Sequence, residues 1–208
     1  MIVPDLPMFP LGSVLFPAAA MALHVFEPRY QALTRACLEG DGRLGIVLIE
    51  RGSEVGGGDT RHALGTRARV TEAVALDDGR WFLALEGLDR VRIRHWLPDD
   101  PYPRAQVEVL TDDPAGAAAA DARDRVERLL RRALALQTEL GEMPAAPATL
   151  SLARGADAAA WQAATVAPIG PADAQRVLET DGVDQRLLLL EGLLDDAVTV
   201  LALRVGGR

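Results

Sequence analysis

Residues 6–30, LPMFPLGSVLFPAAAMALHVFEPRY, carry the reading that decides the fold. Apolar runs around Phe9, at 14–16 and at 21–26 are punctuated by Pro7, Pro10, Gly12 and Pro17. Proline removes a backbone donor and fixes φ, so these runs predict short edge or corner strands rather than one long strand. The third run ends in Glu27-Pro28-Arg29, a good helix start, because at the first helical position a missing N–H loses nothing. Tyr30, Leu33, Cys37 and Leu38 then give one apolar face, and Gly40 is placed to stop the helix.

Working outward, residues 44–49 (LGIVLI) are apolar on both faces and predict a buried central strand. Residues 51–60 (RGSEVGGGDT) read as a polar surface loop; they have neither the spacing nor the lysine of a phosphate-binding loop. Period-two patterns follow. Ala68 and Val70 oppose Arg67, Arg69 and Thr71; Asp77-Asp78-Gly79 is a hairpin turn; Trp81, Leu83 and Leu85 share one face of the return. Gly87 breaks that run, Val91, Ile93 and His95 then alternate against Arg90, Arg92 and Arg94, and 105–110 forms a last strand. Six or more short strands with one early helix predict a compact, partly closed β-barrel.

At Asp113-Pro114 the composition shifts to alanine-rich helical sequence, with Val126, Leu129, Leu130, Ala133, Leu136 and Leu140 at a period near 3.6. Asp121–Arg125, Asp124–Arg128 and Glu127–Arg131 are acid-before-base pairs four apart, each adding only ~0.2–0.5 kcal/mol. Residues 141–147 end this helix, and further helices are predicted over 156–166, 171–180 and 184–203. The expected organisation is a mostly antiparallel β-domain over 1–112 and a helical bundle over 113–208, an α+β chain.

Composition narrows the chemistry. The 208 residues include no lysine and no asparagine, so a phosphate-loop lysine and a serine–lysine dyad are both excluded. A net charge of −8 argues against nonspecific binding to nucleic acid or anionic membranes. No run approaches the ~20 apolar residues that span a bilayer, and the N-terminus does not read as a secretory signal. The single cysteine, Cys37, falls on an apolar helix face and reads as an inert thiol; a cytoplasmic location is expected. Ser13, Ser53 and Ser151 lie outside any nucleophile-elbow pattern, and His24, His62 and His95 lack metal-ligand spacing. His24 and His95 read as hydrogen-bonded core or barrel-lining residues. No cofactor or metal is expected.

The ordered elements LPMFPLGSVLFP, ALHVFEPRY, LGTRARV and EGLDRVRI, with RVLETDGVDQRLLLLEGLL in the helical half, resemble the amino-terminal substrate-binding domain of Lon proteases. That domain also occurs in cereblon and as stand-alone bacterial proteins. The resemblance covers most of the chain and implies a PUA-like pseudo-barrel followed by a helical bundle. It also implies a non-enzymatic binding module, since the sequence ends where the protease would continue into its ATPase and peptidase modules. The cysteine cluster of cereblon's ligand domain has no counterpart.

Two constellations are candidate sites. Phe26, Glu27, Arg29 and Tyr30 stand at a strand-to-helix junction near a sheet edge, where an extended or unfolded polypeptide can be held. The competing reading packs Phe26 and Tyr30 in the core and pairs Glu27 with an arginine such as Arg90. The second constellation is an arginine stripe, Arg67, Arg69, Arg90, Arg92 and Arg94, which makes RNA or nucleotide binding the alternative function; a small-molecule pocket in the barrel is the third. The expected partners are therefore unfolded polypeptides and a separate protease, with nucleic acid as competitor and no membrane.

Overall fold

The computed structural model describes residues 1–52, 54, 58–142 and 150–207. The surface-loop reading at 53 and 55–57, and the helix-end reading at 143–147, lie outside the described residues. The chain divides into two compact units, Met1–Thr111 and Asp112–Arg208.

The first unit holds strands β1 (Ile2–Leu11), β2 (Ala20–Val25), β3 (Arg43–Arg51), β4 (Thr60–Ala75), β5 (Trp81–Leu97) and β6 (Arg104–Val109), with helix α1 (Pro28–Glu39) between β2 and β3. The sheet order is β2-β5-β4-β3-β1-β6, and a further β5–β6 pairing closes five strands into a ring that β2 extends at β5. All pairings are antiparallel except β1–β3. Leu6, Met8, Val47, Val91, Ala105 and Val107 form a core cluster inside this unit.

Three local expectations are corrected. The first apolar run is not a short strand: β1 has 10 residues, with Pro4 at a register shift between Val3 and Leu6 and with Pro7 and Pro10 in register opposite Arg104 and Val47. The middle run, 14–16, is no strand; Leu15 and Phe16 are buried from a loop held by Thr66 Oγ1 donating to the Leu15 carbonyl at 2.5 Å. Gly87 does not end a strand, because β5 runs through it. A Cβ there would meet the Phe16 carbonyl, and the Gly87 N–H donates to the Ala19 carbonyl at 2.9 Å while its own carbonyl accepts from Ala18 N–H at 2.8 Å. Glycine is needed for that close approach. At the β4–β5 hairpin Gly79 takes φ 85°, the conformation its turn requires.

The second unit holds α2 (Ala119–Glu139), α3 (Ala156–Val166), α4 (Pro171–Glu179) and α5 (Val183–Gly206), with α5 packed against the other three. Val126, Leu130, Ala133, Leu136 and Leu140 are buried as their period requires, with Leu187, Leu190 and Leu194 buried from α5. Glu127–Arg131 pairs at 2.5 Å along α2, whereas Arg125 reaches across to Glu191 on α5 at 2.8 Å. Arg186 is fully buried, 2.8 Å from Asp112 and with its guanidinium 3.7 Å above the Trp161 ring.

Candidate functional site

Strand β2 reads AMALHV, and its alternation turns Leu23 and Val25 inward and leaves Ala22 and His24 exposed. It pairs residue for residue with 81–86 of β5, from Ala20↔Glu86 to Val25↔Trp81. Among the described residues that is its only strand partner, so alternate N–H and C=O groups of β2 point away from the sheet.

Past β2, Phe26 is 49% exposed. Glu27 sits at the helix N-cap in extended conformation, and its side chain makes no capping bond. Its carboxylate accepts from Arg29 Nε at 3.2 Å. The Arg29 guanidinium lies 4.4 Å from the Tyr30 ring centroid, and Tyr30 stacks on Phe9 with centroids 4.1 Å apart. Tyr30 is 3% exposed, its hydroxyl is buried, and that oxygen has no hydrogen-bond partner among the described residues. Burial pushes the phenol up to about 12, so it stays protonated through the neutral range. The core reading therefore describes Tyr30, while Phe26 faces solvent.

These residues border one hollow of about 160 Å³, lined by Phe9 and Leu11 of β1, by 22–25 of β2, and by Phe26, Glu27, Tyr30 and Glu54. Beside it lies an apolar patch that sequence reasoning missed. His24 is directly opposite Phe82 in register, and Phe82 opposite Val74, so the three form a row across β2, β5 and β4. Phe82 is 50% and Val74 47% exposed; His24 stacks on Phe82 at 4.7 Å and tilts toward Phe26 at 5.9 Å. His24 and His95 are both exposed, not core or barrel-lining. Leu23 and Val25 take the inward phase around His24, and a register shift between Ile93 and His95 breaks the alternation at the second.

The five arginines do not share one face. Thr66 is opposite Arg90 and Arg67 opposite Asp89, which puts Arg67 and Arg90 on opposite sides of the sheet. Arg90 is 4% exposed. Arg67 is paired with Asp89, Arg69 with Glu86 and Arg94 with Glu108; Arg92 is half-buried opposite Glu108. Cys37 is buried and its thiol is pushed up to about 12, by desolvation first and Asp41 second, leaving negligible thiolate at neutral pH. Among the described residues no group of His, Cys, Asp and Glu is arranged to hold a metal, and no helix is long and apolar enough to cross a membrane.

The family model for the ATP-dependent protease La (LON) substrate-binding domain matches residues 5–196. Lon protease 2 of Herpetosiphon aurantiacus is 29% identical over 208 residues, covering 96% of this chain and 24% of the relative. Lon protease of Xanthomonas oryzae is 30% identical over 217 residues, covering 98% and 24%. The chain thus spans about a quarter of the length of these relatives. A crystal structure of a Lon N-terminal domain protein from Xanthomonas campestris superposes with TM-score 0.67 at 26% identity, covering 90% of this chain and 97% of that one. The N-terminal domain of Mycobacterium avium complex Lon protease shares the fold at TM-score 0.65 and 18% identity, covering 92% and 98%.

Proposed function

Since the chain belongs to the Lon substrate-binding domain family, we propose that it is a non-catalytic module that holds extended or unfolded polypeptide segments along β2, as an adaptor or holdase. The observation that carries this reading is an undefended sheet edge. Edge strands are ordinarily blunted by charges, prolines or a covering element. In β2 there is no charged residue and no proline, and its outer side has no strand partner among the described residues. A guest strand would gain main-chain hydrogen bonds there, and its side chains would flank His24 and Phe26, the β2 end of the apolar row.

The competing readings have less support. Three of the five arginines are already paired with carboxylates, and a fourth is buried. The hollow beside β2 is well below the ~300–1,000 Å³ typical of drug-sized ligands. Fluorescence anisotropy with labelled, reduced and unfolded casein tests the proposal. Saturable binding at tens of micromolar or tighter is expected, weakened at least about tenfold by Phe26→Ser with Phe82→Ser. Absence of saturable binding, or identical binding by the double variant, overturns it.

A further inference from the structure

Helix α5 is apolar on two sides. Leu187, Leu190, Leu194 and Leu201 are buried in the helical unit. Roughly a third of a turn away, Leu189, Leu193, Asp196, Val200 and Leu203 recur at alternating spacings of four and three, the repeat of a helix–helix seam. Leu189 and Leu193 are half-buried, whereas Val200 is 55% and Leu203 73% exposed. The five positions span ~21 Å, about four turns of helix. Along the seam lies a hollow of about 360 Å³, lined by Leu193, Asp196 and Val200 of α5 and by Pro168 and Ile169 ahead of α4. Two other carboxylates line it, and both are engaged: Glu142 pairs with Arg204, and Asp173 with Arg176 at 2.8 Å. Asp196 is exposed and has no ion pair among the described residues.

We propose that this seam, with the hollow beside it, receives a basic amphipathic helix of another protein. Apolar side chains at the guest helix's own four-three spacing pack on Leu189, Leu193, Val200 and Leu203, and an arginine or lysine at its middle position pairs with Asp196. The charge pattern rejects a second copy of this chain. Asp196 is the middle one of the five seam positions. A two-fold pair of α5 helices that used the whole seam, parallel or antiparallel, would therefore set Asp196 against Asp196. Like charges placed so oppose association, while a basic residue at that point favours it and fixes the register. The overall charge of −8 adds to the attraction for a basic partner. This surface belongs to the helical unit alone, and the inference does not depend on strand capture at β2.

The test uses three labelled alanine-rich helical peptides with leucines at four seam positions, identical except for Arg, Gln or Glu at the middle one. Anisotropy is read on the full chain and on variants at exposed positions, which leave the buried face of α5 intact. The Arg peptide should bind at least about tenfold tighter than the Glu peptide, with the Gln peptide between them. Asp196→Arg should invert that order. Val200→Ser with Leu203→Ser should weaken the Arg peptide at least about tenfold. Asp195→Asn, one residue off the seam, should leave the order unchanged, and binding of unfolded casein should be the same in every variant. Failure of all three peptides to bind, or an order that Asp196→Arg does not change, overturns the inference while strand capture at β2 stands. Sedimentation showing a dimer that Val200→Ser with Leu203→Ser dissolves would overturn it in favour of a second copy.

Discussion

Gly87→Ala should detach the segment that leads into β2 from the rest of the barrel. The added Cβ would lie 3.0 Å from the Phe16 carbonyl carbon, closer still to its oxygen, and 3.4 Å from Leu15 Cγ. Carbon–carbon contacts settle at ~3.5–4.0 Å, so the Phe16 backbone must retreat. Retreat breaks the Ala18 N–H bond to the Gly87 carbonyl and the Gly87 N–H bond to Ala19, at 2.8 and 2.9 Å. Each bond contributes ~0.5–1.5 kcal/mol net, and overpacking a close approach adds ~1–3, giving about 2–6 kcal/mol in all. In a unit of this size that lowers the melting midpoint by about 10 °C or more. Gly192→Ala is the control: beyond its chain neighbours and its own helical turn nothing lies within 4 Å of its Cβ position in α5, and alanine there should stabilise by ~0.5–1 kcal/mol. Calorimetry gives the midpoints, and hydrogen exchange reports whether amides from 18 to 25 lose protection. Unchanged melting and unchanged protection in Gly87→Ala would refute the reasoning.

Two further predictions concern stability alone. Arg186→Met should destabilise the helical unit by about 3 kcal/mol, the low end for breaking a buried ion pair because Asp112 keeps some contact with water; Arg186→Lys should recover part of it without the planar stack on Trp161. Urea unfolding followed by helical circular dichroism checks this, and a loss below about 1 kcal/mol would contradict it. Burial raises Tyr30 from 10.0 to about 12, and Cys37 from 9.0 to about 12. With folded values above unfolded ones, their contribution is whole below pH 9 and is lost as pH climbs toward 12. Tyr30→Phe should therefore flatten the alkaline limb without loss at pH 7, where its orphaned hydroxyl contributes nothing; an alkaline limb as steep as wild type would count against it.

Much of the fold was legible because local chemistry agreed with it. Pro28 opens α1, Asp77-Asp78-Gly79 turns the hairpin, and the leucine periods place α2 and α5. Gly87 misled because one residue type serves two purposes: it ends strands, and it lets another backbone approach, which only the position of Phe16 reveals. The Phe26–Tyr30 junction was readable from its proline and its apolar run. The row through Val74, Phe82 and His24 was not, since cross-strand neighbours depend on register between segments far apart in sequence. One signal was present: Phe82 is an aromatic on the polar phase of a strand whose Leu83 and Leu85 point inward. The arginine stripe failed for the same reason, because the pairing sets Arg90 opposite Thr66 and Arg67 opposite Asp89, which puts Arg67 and Arg90 on opposite sides.

Hydrogen exchange across β2, with and without a saturating extended peptide, tests most directly whether this strand is where a guest chain is held. Capture by strand addition predicts slowed exchange at alternate amides within 20–25, with little change on α2 or α5. Saturated binding that leaves every β2 amide exchanging as before, with protection arising at the arginine-bearing strands or in the helical unit instead, would contradict it.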